Sequence, residues 1–256
     1  MRRWGWFFGC VLMLPQMQPA NGQTPSADEI VTQVMKHDAD RRTALAEYAS
    51  ERTYEMEYKG PIGERHARMR VRMEFFAPDR KRFTVVSETG STIFCHQVLR
   101  KLMEGEQDGA LEANRLRSML SPGNDYLKLL GEEKLDGLNT WVLDVSPKQE
   151  NQFNYKGKVW VNQADFAVVR IVGSPAKNPT WLLGSSKFDY RYAQSGAFWL
   201  PSRNETVSRL RIGGEIRLMV DYGEYRIVET ARPREVISAS NRVAPGVSGL
   251  ATSLPQ

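Results

Sequence analysis

Three histidines, His37, His66 and His96, and two cysteines, Cys10 and Cys95, are the residues of this 256-residue chain best suited to nucleophilic, acid–base or metal-binding work. Their spacing argues against each role. No two histidines stand at the short intervals of a zinc site. Cys95 and His96 are adjacent, but neighbouring side chains diverge by about 100° on a helix and point to opposite faces on a strand, which disfavours a nucleophile–base dyad. Glu104, Glu106, Glu132 and Glu133 fall at helix ends and turns where solvation accounts for them, so no carboxylate pair stands out for glycoside chemistry. Neither a Gly-x-Ser-x-Gly elbow, a phosphate-cradling loop nor a dinucleotide fingerprint is present. The pattern points to a non-enzyme and nominates no catalytic residue, metal or cofactor.

Charge and apolar patterning are more informative. His66, Arg68, Arg70 and Arg72 alternate along one segment, and Arg80 and Arg82 follow on the next. Such a stripe either docks on anionic lipid headgroups or an acidic partner, or is a solvated sheet face matched by Glu55, Glu57 and Glu74. Between these cations Ala67, Met69, Val71, Met73 and Phe75 occupy the other face, and Tyr54, Met56 and Tyr58 alternate in the preceding segment. Seven of these, Tyr54, Met56, Tyr58, Met69, Val71, Met73 and Phe75, look into one space. Methionines recur on the apolar stripes, at positions 56, 69, 73, 103, 119 and 219, and their pliability suits a surface that accepts varied ligands; a filled β core is the equal alternative.

The elements that position these side chains follow from periodicity. Ser26-Ala27-Asp28-Glu29 is a capping box, and Ile30, Val31, Val34 and Met35 recur at helical spacing, predicting an amphipathic helix from about Ala27 to Leu45. Period two takes over from Glu51, and the turn Gly60-Pro61-Ile62-Gly63 makes a long hairpin, with a third strand over Arg80 to Glu88. Cys95 to Leu120 returns to helical spacing as two helices, with Val98, Leu99, Leu102 and Met103 on one stripe as the natural lid over the apolar space. The remainder reads as hairpin after hairpin, a meandering antiparallel sheet curved enough to close partly on itself.

Composition agrees with one folded domain: hydrophobic residues are 41%, aromatic 10% and charged 25%. Arg2 and Arg3 precede a short apolar run, Trp4 to Leu14, then Pro15 and small residues, the outline of a signal peptide over residues 1–22; a membrane span needs about 20 apolar residues. Its removal leaves Cys95 as the sole thiol and 33 basic against 30 acidic residues, a formal +3 that calls for no nucleic acid or other polyanion. The organisation is therefore a signal peptide, a domain over residues 23–230 and a flexible tail over residues 231–256.

Two hairpin phrases carry a family likeness. Gly157-Lys158-Val159-Trp160-Val161-Asn162 with Asp165 to Ile171, and Phe198-Trp199-Leu200-Pro201 followed by a basic strand and Tyr222 to Tyr225, resemble the recurrent hairpins of outer-membrane lipoprotein-sorting proteins. With the leader, the first helix and the interrupting helices, the chain resembles the periplasmic lipoprotein carrier superfamily of Gram-negative bacteria, which includes LolA, LolB and the RseB-type envelope-stress regulators. The resemblance implies a mainly β fold with helices (α+β), a curved antiparallel sheet forming a half-open barrel covered by helices. It implies a soluble periplasmic protein that holds the acyl chains of lipoproteins or lipids in an apolar cavity and takes part in lipoprotein sorting. The alternatives are a regulatory sensor that contacts an inner- or outer-membrane protein, and a hydrolase with an unrecognised site.

Overall fold

The computed structural model describes residues 24–230 apart from residues 62 and 179. The expected signal peptide and the expected C-terminal tail lie outside the described residues.

The expected capping box is formed. Ser26 Oγ accepts from the Glu29 amide at 3.3 Å while Glu29 Oε2 accepts from the Ser26 amide at 2.7 Å, and helix α1 runs Ala27–Ala44 from that start. Strand β1, Leu45–Gly60, follows with no intervening loop. It begins at Leu45 rather than at Glu51, because its first residues pair with a short C-terminal strand that hydropathy alone does not reveal. Strands β2, Gly63–Phe76, and β3, Arg80–Gly90, complete the first meander.

The helical insertion is three pieces rather than two. A π-helical turn, Phe94–Leu99, runs directly into α2, Arg100–Ala110, and α3, Glu112–Ser118, follows. Seven strands then meander without interruption: β4 Asp125–Leu135, β5 Leu138–Pro147, β6 Tyr155–Asn162, β7 Val168–Pro175, β8 Leu183–Ser195, β9 Phe198–Leu210 and β10 Glu215–Tyr222. Strand β11, Arg226–Glu229, pairs with the start of β1. Asp136 and Gly137 at φ 49° and 88° supply the two positive-φ positions that a tight β4–β5 hairpin of right-handed twist requires.

Every pairing among the described residues is antiparallel, and the sheet order is β3-β2-β1-β10-β9-β8-β7-β6-β5-β4, with β3 and β4 as its unjoined edges among those residues. The sheet is thus curved and open, a half barrel. Register breaks near Val71, Gly131, Val161 and Tyr192 add local coiling. On the β6–β7 pair Gly157 faces Gly173 so closely that a Cβ on either would collide with the backbone of the other strand. That bare stretch permits the sheet to bend in its middle.

The helices cover the two ends of the concave face. Ile30, Val31 and Val34 of α1 pack on Trp141, Leu143, Val145, Val159 and Val161. Cys95, Leu99 and Met103 of the insertion pack on Tyr54, Met56, Ala67, Met69, Val71, Leu218 and Val220. A smaller cluster, Val142, Trp160 and Val169 with Trp199, lies on the convex side.

Candidate binding site

The concave face can be read strand by strand from the register. Extending the Tyr54–Met56–Tyr58 alternation backwards puts Arg52, Ser50 and Tyr48 on the same face. Arg52 stands opposite Tyr222 of β10 and Val71 of β2, and Tyr54 stands opposite Val220 and Met69. Further across, Asn204 faces Tyr190, and Ser208 faces Ser186 with their hydroxyls 2.7 Å apart.

All seven residues expected to line the apolar space share this face, and all seven are buried. Leu99 and Met103 pack on part of that set, and Val98 packs beside them. Leu102 departs from expectation: it is 42% exposed. The π-helical start displaces the stripe, and Leu102 shares a helix flank with Gly105 and Gly109, the last of which abuts Phe153 of the β5–β6 loop. Met219 is likewise on the outer face, opposite Glu55 and Glu205.

The two helical covers leave the middle of the face between them. Half-buried Tyr155, Phe188, Tyr190, Tyr192, Tyr222 and Tyr225 occupy this zone. Phe188 makes edge contacts with Tyr155 at 6.1 Å and Tyr190 at 5.1 Å, and Tyr48 joins Tyr225 at 5.7 Å to Phe75 at 5.0 Å. Burial pushes the Tyr190 hydroxyl up to about 12 and raises those of Tyr155, Tyr192, Tyr222 and Tyr225 as well. A cleft of about 390 Å³ opens from this lane beside Leu200, Pro201, Tyr222 and Tyr225. A larger one, about 650 Å³, lies among Asp108, Arg117, Glu150, Phe153 and Lys177 at the α2–α3 end.

Sequence reasoning missed the polar centre of the face. Arg52 is only 2% exposed. Its Nη1 donates to both carboxylate oxygens of Glu106 on α2, at 3.0 and 2.8 Å, and Lys81 Nζ donates to Glu106 Oε1 at 2.8 Å. The Arg52 guanidinium lies 4.6 Å from the Tyr222 ring and 5.6 Å from that of Phe83. Burial opposes ionisation of Glu106, but Lys81 and Arg52 outweigh it and hold the carboxyl down to about 2. Burial likewise works against the charge of Arg52, and the Glu106 carboxylate more than offsets it. Tyr54, next on the strand face, is pushed up to about 12, first by burial and then by Glu106. Three buried polar atoms here, Ser50 Oγ, Arg52 Nε and Tyr54 OH, have no hydrogen-bond partner among the described residues.

The basic stripe lies on the opposite, outer face. Arg68 pairs with Glu55 at 3.3 Å, Arg70 with Glu51 at 2.9 Å, Arg72 with Glu51 at 3.7 Å and Arg82 with Glu74 at 2.9 Å. Arg80 and Arg82 also lie over the Phe76 ring at 5.0 and 5.2 Å. Among the described residues no three His, Cys, Asp or Glu side chains stand close enough to hold a metal ion, and no helix is long and apolar enough to cross a membrane.

No protein-family profile matches the sequence, and no curated protein is detectably similar to it. Among solved structures the chain is similar to a DUF1329 family protein from Desulfovibrio piger, at 13% identity over 80% of this chain and 94% of that one, with a TM-score of 0.41. It is similar to a LolA superfamily protein from Nitrosomonas europaea, at 13% identity over 81% and 96%, with a TM-score of 0.38. An outer membrane lipoprotein-sorting protein domain from Vibrio parahaemolyticus matches at 14% identity over 77% and 91%, with a TM-score of 0.39.

Proposed function

We propose that the protein is a periplasmic binding protein that holds acyl chains of lipoproteins or lipids on the concave face of its half barrel. The observation that carries this reading is the lane of half-buried, mutually packed aromatic side chains between the two helical covers. Apolar walls continue it on both sides, so a chain entering the lane passes under α2 once that helix moves. The seven residues Tyr54, Met56, Tyr58, Met69, Val71, Met73 and Phe75 are the extension of the lane beneath the closed lid. Burying a methylene contributes about 0.8 kcal/mol, so eight would contribute roughly 6 kcal/mol before ordering costs. Cargo binding of this kind needs no catalytic group.

The test is titration of the mature chain with a fluorescent fatty acid. Saturable binding, displaced by a lipopeptide, is the expected result. A wild-type protein that leaves the probe's emission unchanged at all concentrations would overturn the proposal.

A further inference from the structure

The charges of the ionic cluster on the concave face, buried at Arg52 and partly accessible at Lys81 and Glu106, do not balance. Arg52 and Lys81 contribute two positive charges and Glu106 one negative, so the triad retains a formal +1 beneath α2. An uncompensated charge in a desolvated site is costly. The donors are also in excess: Glu106 takes one nitrogen of Arg52 and the Lys81 ammonium, while among the described residues Arg52 Nε, the Tyr54 hydroxyl and the Ser50 hydroxyl find no acceptor at full hydrogen-bond geometry, with Tyr54 beside Arg52 and Tyr225 beside Ser50 as their nearest polar neighbours. All three project from the same face of β1, on residues 4% exposed or less. The site therefore has the complement of a second acidic group built into it.

We propose that the cargo is an anionic amphiphile whose acidic head sits beside Glu106 on these unused donors while its chain lies along the aromatic lane. The proposal rests on the acyl-binding reading above and adds to it the charge of the head. The head neutralises the excess positive charge, and Arg52 Nε, Tyr54 OH and Ser50 OH donate to its oxygens. Approach is through the 390 Å³ cleft: Tyr222, which forms one wall of it, stacks on the Arg52 guanidinium, and Tyr225 lies beside it. Glu224 is on the exposed rim of that cleft, and Arg52 lies behind Tyr222 rather than on the cleft wall, so entry of the head requires Tyr222 to turn aside. Charge-assisted hydrogen bonds made in a desolvated site are strong and discriminate by charge rather than by chain length.

Competition against a neutral fluorescent probe separates head from chain. Laurate and its methyl ester, at a pH where laurate is ionised, should both displace the probe, with laurate binding roughly tenfold tighter. Tyr54→Phe, which removes one donor and keeps the ring, should shrink that ratio. Glu106→Gln, which removes the neighbouring negative charge, should enlarge the ratio even if a loosened lid changes both affinities. Equal binding of acid and ester by the wild type, or a ratio that falls in Glu106→Gln, would overturn the anionic head and leave the acyl-binding reading standing. Failure of both ligands to displace the probe would overturn the two together.

Discussion

The two helical covers pack on the same sheet, yet they are fastened by opposite means. Helix α1 inserts Ile30, Val31 and Val34 between Trp141, Leu143 and Val159, and its polar tie lies at the periphery. Arg41 donates to the Asp165 carbonyl at 2.6 Å, and Asp165 is itself held by Trp199 Nε1 at 2.7 Å and by Asn162. Phe166, at φ 55°, stacks between His37 and Trp141 and locks that turn against the helix. The α2 lid has a thinner apolar seam, Cys95, Leu99 and Met103, and its polar tie lies inside, with the carboxylate on the helix and the cations on the sheet. Gly105 and Gly109 further weaken the helix itself. An apolar seam with a peripheral tie makes a permanent wall. A buried ionic tie under a short glycine-bearing helix makes a cover that a change of charge can release.

Paired truncations test this contrast most severely. Leu143 and Leu99 are both fully buried, one under each cover. Leu143→Ala should lower global stability by about 2–5 kcal/mol in urea titration. Leu99→Ala should lower it by less than about half of that, because the lid detaches without unfolding the sheet. Equal losses would erase the distinction between wall and cover.

Acid provides a second, smaller effect. The carboxyl of Glu106 is depressed from its ordinary 4.5 to about 2 when the lid is closed. The closed form therefore binds a proton less readily than the open one, and falling pH favours opening. The tie is complete above about 4.5 and is lost progressively as pH falls towards about 2. Hydrogen exchange over residues 95–110 should accelerate in that window ahead of α1, and Glu106→Gln should remove the acid dependence. A lid that stays protected as firmly as α1 throughout the window would count against the ionic tie.

The outer ladder sets the lower bound. Arg68→Ala or Arg70→Ala should change stability by no more than about 0.5 kcal/mol, since exposed cross-strand pairs are screened. Loss of binding to anionic vesicles on charge reversal at Arg68, Arg70 and Arg72, with the fold intact, would instead mark that ladder as a docking face.

Much of the scaffold was legible in the sequence because it is written in short-range periodicity. The capping box at Ser26, the β1–β2 alternation and the run of hairpins from Tyr126 depend only on neighbours a few residues apart. The site was less legible for the same reason. Arg52 continues the inner face of Tyr54 by a single step of two, but its acceptability there depends on Glu106, fifty-four residues away. Phe188, Tyr190 and Tyr192 alternate plainly, yet only the sheet's curvature makes their face the concave one. Leu102 was misplaced because a π-helical turn advances five residues per hydrogen bond and shifts the stripe that follows.

Cys95 gives the lid a built-in clock. Its thiol is buried in the π-helical turn, 3.7 Å from the Thr89 carbonyl, and burial raises its pKa, so in the closed state it is both shielded and unreactive. A thiol reagent can then modify it only as often as the cover lifts. The labelling rate at Cys95, read by peptide mapping so that Cys10 does not contribute, becomes a count of opening events without an introduced dye.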